Sequence, residues 1–194
     1  MTNTGKIELM APAGNFESLQ AAIDNGADSV YFGVDQLNMR ARASINFTID
    51  DLDEIARRCA PKGIRTYLTL NTIIYDHDLS IIKTLLDAAK KAGLTAVIAM
   101  DQAVIAYARQ IGMEVHISTQ INITNIETVR FYAMFADTMV MSRELSLRQI
   151  KKICEQIEKE QIKGPSGNLV EVEIFGHGAL CMAVSGKCYL SLHS

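Results

Sequence analysis

Long apolar runs are missing from this chain. Runs such as "AVIAM" at 96–100 are far short of the roughly 20 residues that a membrane-spanning helix needs. The opening "MTNTGKIELM" holds no apolar stretch of the signal-peptide type. The expectation is a cytoplasmic protein with no membrane partner. Basic excess is missing too. Nineteen Lys and Arg stand against 22 Asp and Glu, for a net charge of −3. A broad nucleic-acid footprint is thereby excluded, and any RNA contact must be local or lie on other sequence. No HExxH metalloprotease motif and no GxSxG nucleophile elbow occur. Cysteine is scarce, with four in the chain. In a reducing compartment these read as buried, metal-binding or catalytic residues before they read as disulfides.

What remains is ordinary for a globular protein. The 194 residues are enough for one domain with a real core, and 48% are hydrophobic against 21% charged. Short apolar runs alternate with amphipathic stretches. The runs fall at 7–12, 29–34, 65–71, 96–101, 114–119, 138–143 and 169–176, and most carry Val, Ile, Tyr or Thr, as buried strands do. Between them lie helical patterns such as "NFESLQAAIDNG", "DLSIIKTLLDAAKKAG" and "SLRQIKKICEQIEKEQ". Several begin with Asp, Asn, Ser or Thr and end near Gly, the residues that cap helices. "KGPSGN" at 163–168 reads as a turn into the last strand. Six βα units and a seventh strand predict an α/β fold with a parallel sheet, a TIM-like (β/α) barrel that is incomplete. An open doubly wound sheet is the alternative.

In a parallel barrel, chemistry sits where the strands end. Polar side chains occur at nearly every such end: Arg40 and Arg42 after the second strand, Asn71 after the third, Asp101 after the fourth. Ser118, Gln120 and Asn122 follow the fifth, Ser142, Arg143 and Glu144 the sixth, His177 and Cys181 the seventh. Asp101, Asn122 and Ser146 also suit helix caps, and Arg143 with Glu144 could be a simple ion pair. Arg40 and Arg42, two apart in a loop, can hold an anion or be merely solvated. Arg40, Arg42, Asn71, Gln120, Arg143 and His177 are expected to face one concavity.

Cys59 and Cys154 lie in helical patterns and read as small buried hydrophobes. Cys181 and Cys188 stand apart, in a glycine-containing loop after a strand. A disulfide, a zinc site recruiting His177 and His193, and an iron–sulfur cluster all compete for this pair. Spacing alone does not choose among them. His177 by itself reads as a strand-end histidine bonded to backbone.

The stretch "EIFGHGALCMAVSGKCYLS" closely resembles the signature of the collagenase-like peptidase family U32. "LMAPAGNFESLQAAIDNGADSVYFGV", "MRAR", "STQIN" and "MSRELSL" match that family in order. The resemblance implies a TIM-like barrel and makes residues 1–194 the N-terminal barrel domain of a longer chain. It also implies two activities: a collagenase-like peptidase, or an iron–sulfur enzyme that hydroxylates a pyrimidine in tRNA or rRNA, with RNA as partner. On the second implication Cys181 and Cys188 are metal ligands, the first two of four holding a [4Fe–4S] cluster in the full-length protein, and the fragment alone holds no intact cluster. Zinc is the alternative metal. Prephenate, a dicarboxylate, is the implied co-substrate. Arg40, Arg42, Asn71, Gln120 and Arg143 would bind it, and His177 would be catalytic. The peptidase alternative pairs Cys181 with His177. A third, non-catalytic reading has the barrel fragment pair with itself through an open sheet edge.

Overall fold

The computed structural model describes residues 7–34, 47–178 and 183–187. Seven strands form one sheet: β1 (Met10–Pro12), β2 (Ser29–Phe32), β3 (Arg65–Leu70), β4 (Ala96–Ala99), β5 (Glu114–Ile117), β6 (Thr138–Val140) and β7 (Glu171–Glu173). Six helices alternate with them: α1 (Phe16–Asp24), α2 (Leu52–Cys59), α3 (Leu79–Ala92), α4 (Gln102–Gln110), α5 (Ile126–Ala133) and α6 (Leu147–Glu160). Each strand pairs in parallel with the next in sequence, in the order β1-β2-β3-β4-β5-β6-β7. A doubly wound sheet reverses its strand order at a switch point. No reversal occurs here, so the sheet winds one way and curls as a barrel does. Among the described residues β1 pairs only with β2 and β7 only with β6, which leaves the barrel open between them.

The strands run shorter than the apolar runs that predict them, and after β4 and β5 the next residues are claimed by caps. Asp101 leaves the sheet to accept from the Ala103 amide at 2.8 Å, opening α4. Asn15 and Ser18 form a reciprocal capping box on α1, with Ser18 N to Asn15 Oδ1 at 2.8 Å. Ser146 and Gln149 do the same for α6. Asn122, expected as a cap, does not start a helix. Asn125 caps α5 instead, accepting from Thr128 N at 3.0 Å. Helix α3 shows the pattern that drives docking. Ile82, Leu85, Leu86 and Ala89 recur at i, i+3, i+4 and i+7 and are all buried.

The sheet separates two apolar compartments. The outward strand residues, among them Val30, Phe32, Leu68, Leu70, Val97, Val115, Ile117 and Met139, join the buried faces of the helices in one large core. Cys59 belongs to it at the end of α2, and Cys154 on α6 is only half-buried. The inward residues Tyr67, Ala96 and Ile98, with Met10 and Tyr31, form a separate small cluster in the lumen. Among the described residues no helix is long and apolar enough to cross a membrane. The expected turn at 163–168 is present. The Gly164 and Gly167 N–H groups close it by hydrogen bonds of 3.0 Å to the Asn168 and Gly164 carbonyls, and Asp137 Oδ1 accepts from the Ser166 amide and hydroxyl.

Candidate functional site on the strand-end rim

At the C-terminal ends of β5 and β6 the chain is knotted together by side chains. Ser118 caps a short turn, Thr119–Ile121, through the Gln120 amide. Asn122 closes that turn with φ 58°, a left-handed conformation that Asn tolerates better than most residues. Its side-chain amide lies 2.8 Å from Ser142 Oγ, at the end of β6. Thr119 Oγ1 reaches back to the Met141 carbonyl at 3.3 Å. These contacts make one rigid ledge from two strand ends.

The segment 183–187 rests on that ledge. Glu144 Oε1 accepts from the Ser185 amide at 2.7 Å, and Gln120 Oε1 accepts from the Gly186 amide at 3.2 Å. Arg143 donates to the Ala183 carbonyl at 3.2 Å. Within the segment Lys187 N bonds to Val184 O at 2.9 Å, which folds it into a turn. Gly186 has φ +77°, and a Cβ there would lie 2.3 Å from the Gln120 carbonyl oxygen. Only glycine fits the turn this close to the ledge. The Ser142 hydroxyl and the Ser185 amide hold the Glu144 carboxyl down, to about 2, the Ser142 contact first and against a smaller opposing effect of burial. Glu144 is thus an anion devoted to neighbouring donors rather than to Arg143.

The sequence-predicted residues sort as follows. Gln120 and Arg143 both touch the 183–187 segment. Asn71 follows β3, half-buried, and His177 lies past β7, exposed. Arg40, Arg42, Cys181 and Cys188 lie outside the described residues. In sequence, however, Cys181 and Cys188 flank the clamped segment on either side.

A second polar centre sits in the lumen, where such barrels usually stack branched aliphatic side chains. His116 is 3% exposed. Its Nε2 lies 3.1 Å from Glu114 Oε1, and its Nδ1 lies 3.8 Å from Glu173 Oε2 on β7. The Tyr67 ring packs on it with centroids 4.6 Å apart, and Tyr67 Oη donates to Glu8 at 2.7 Å. Glu8 also pairs with Arg65. Burial works against charge on His116, but the two carboxylates outweigh it and raise its pKa. The hydrogen bond from His116 in turn lowers that of Glu114, against its own burial. Burial first, then the nearby carboxylates, keep the Tyr67 phenol protonated well beyond the usual range, against the pull of Arg65. The sequence reading missed this centre. Its signal was a histidine and two glutamates at alternating positions of "EVHIST" and "VEVEIFG". No group of three metal-ligating side chains converges among the described residues, so this cluster is not a metal cage.

A profile of peptidase family U32 matches residues 14–194. A collagenase of Porphyromonas gingivalis is 56% identical over 98% of this chain and 46% of its own length. A tRNA hydroxylation protein of Bacillus subtilis is 34% identical over 98% of this chain and 43% of its own. A 23S rRNA 5-hydroxycytidine synthase of Escherichia coli is 32% identical over 96% of this chain and 26% of its own. The chain thus spans less than half the length of these relatives. Among solved structures, a U32 peptidase superposes with a TM-score of 0.64 over 90% of this chain and 70% of the other, at 13% identity. That likeness shows a shared fold.

Proposed function

Since the chain belongs to peptidase family U32, we propose that it forms part of an iron–sulfur enzyme that hydroxylates a pyrimidine base in tRNA or rRNA. The observation that carries this reading is the clamped segment between Cys181 and Cys188. Three side chains of the β5 and β6 ends hold it on the barrel rim, where chemistry collects in this fold. Two soft thiol donors flanking an anchored turn suit an iron–sulfur cluster. Cys181 and Cys188 would supply two ligands and other parts of the protein the rest. When bound, the cluster supplies one-electron chemistry. Relatives named for tRNA hydroxylation and rRNA hydroxycytidine synthesis, at 34% and 32% identity, point the same way.

In this proposal Arg40, Arg42 and Arg143 bind an anionic co-substrate such as prephenate by charge-assisted hydrogen bonds. Arg143 is exposed and uses one of its donors on Ala183, which leaves others for a ligand. Asn71, at the end of β3, and His177 complete the candidate set. The net charge of −3 is no obstacle if the RNA-binding surface lies on other parts of the protein.

The collagenase relative, at 56% identity, favours a second reading, a peptidase using Cys181 and His177. One experiment separates the two. Nucleosides from tRNA and rRNA of cells lacking the gene are analysed by mass spectrometry. Loss of a hydroxylated pyrimidine, restored by the wild-type gene but not by Cys181→Ala, supports the hydroxylase. Persistence of every such base, together with Cys181-dependent cleavage of denatured collagen by the purified protein, establishes the peptidase.

A further inference from the structure

We infer that the barrel lumen, just below its strand-end rim, reads the hydrogen-bonding edge of a nucleobase, with His116 as donor and Glu173 as acceptor; that the base is a pyrimidine rests on the reading proposed above. Among the described residues, the buried side-chain atoms without a hydrogen-bond partner include Thr69 Oγ1, His116 Nδ1 and Glu173 Oε2, on β3, β5 and β7. Thr69 and His116 are the last but one in their strands, and Glu173 is the last in its own. All three therefore lie towards the end of the barrel where this fold does its chemistry. They face inward. Thr69 is two residues on from lumenal Tyr67, and His116 is in register with lumenal Ile98. The His116 side chain is 4% exposed. A buried polar atom left unpaired is costly, and a ligand bonded to it removes that cost.

The two unpaired atoms on β5 and β7 define the ligand. The Glu114 carboxylate only accepts, so His116 Nε2 donates to it, 3.1 Å away. The carboxylates keep His116 protonated against its burial, so Nδ1 carries a hydrogen too. At 3.8 Å that N–H is too far from Glu173 Oε2 to bond it. The lumen thus presents a donor beside an acceptor. The complement is an acceptor beside an N–H on one edge of a flat molecule. Uracil offers a carbonyl oxygen beside its ring N–H, and cytosine a ring nitrogen beside its amino group. A peptide bond does not fit, because its trans geometry points the carbonyl and the N–H to opposite sides. Thr69 Oγ1 can donate or accept and so serves either base. Tyr67, packed on His116 with centroids 4.6 Å apart, and Ile98 add the apolar surface that small-molecule sites combine with a few polar groups. A base enters such a site turned out of its strand, as base-modifying enzymes require.

The test titrates wild-type protein with uridine, N3-methyluridine and a glycine–proline peptide of collagen type, at pH 6, below the ordinary 6.5 of histidine. The His116 imidazole resonances are followed by NMR. Uridine should move them saturably. N3-methyluridine, which lacks the ring N–H, should bind at least about tenfold more weakly. Glu173→Leu should weaken uridine by a similar factor and should no longer distinguish the two nucleosides. Uridine that leaves the His116 resonances unmoved, or equal wild-type affinity for both nucleosides, overturns the inference. A response to the peptide in place of uridine overturns it too, by making the lumen a peptide subsite. The nucleoside comparison is made on wild-type protein, so it decides even if Glu173→Leu fails to fold. Mass spectrometry of cellular RNA separates this claim from the one beneath it. Uridine binding as expected, in a protein whose deletion leaves every hydroxylated pyrimidine in place, ends the hydroxylase reading and leaves the base site standing. Loss of a hydroxylated pyrimidine on deletion, fully restored by a Glu173→Leu gene, ends the base site and leaves the hydroxylase reading intact.

Discussion

Replacing His116 with alanine removes the cation between Glu114 on β5 and Glu173 on β7, and its cost can be worked from the structure. Breaking a buried ion pair by deleting one partner costs about 3–5 kcal/mol, because a charge is left buried without compensation. Here the stranded groups are not sealed in. The Glu114 side chain is 38% exposed and that of Glu173 is 23% exposed, so water can partly replace the imidazole. The lower end of that range, or below it, applies. Loss of the ring contact with Tyr67 adds about 0.5–1.5 kcal/mol. The sum is about 3 kcal/mol, a large share of the roughly 5–15 kcal/mol that holds an ordinary domain together. His116→Phe keeps the ring contact and should lose less. The pH dependence carries the sharper test. The folded-state pKa of His116 is raised above its ordinary 6.5. Its contribution is therefore complete below about pH 6.5 and is lost as pH rises through the folded value. Glu114 is lowered from 4.5, so its share is present above that value and lost as pH falls through the folded one. Urea unfolding at pH 6 and pH 8 reads the His116 effect alone, since Glu114 is ionised at both; its own share is read only below pH 4.5. The wild-type chain should lose stability between the two, and His116→Ala should lose much less of it. Equal pH slopes in the two proteins, or a loss under about 1 kcal/mol at pH 6, would refute this account of the lumen.

Three further outcomes are expected. Gly186→Ala should release the 183–187 segment, since a Cβ would sit 2.3 Å from the Gln120 carbonyl at φ +77°; amide exchange should rise there while the global unfolding midpoint barely moves. Gly164→Ala should cost about 1–3 kcal/mol in urea unfolding, because its Cβ would lie 2.8 Å from the Asp137 Cα, a backbone atom that cannot swing aside. Asn15→Ala should cost about 1 kcal/mol by the same assay, through loss of the cap on α1.

The sequence by itself determined the elements and their order. Apolar runs, amphipathic stretches and caps such as Asn15, Asp101 and Ser146 are local signals, decided within a few residues. A helix crossing back between successive strands then made every strand parallel to the last. The family was equally legible, because its signature is contiguous. The tertiary structure alone decided which face of each strand is which. The alternation of Glu114 and His116 with Val115 and Ile117 is visible in the sequence, but a barrel strand is buried on both faces, so the alternation does not say which face is the lumen. It alone decided that Asn122 closes the 119–121 turn and braces Ser142 rather than starting a helix. The clamp was also beyond local reading: Gln120 and Gly186 are 66 residues apart, and Glu144 and Ser185 are 41. Those partners meet only because the curled sheet carries the ends of successive strands to one rim, where a side chain's neighbours are set by winding rather than by sequence distance.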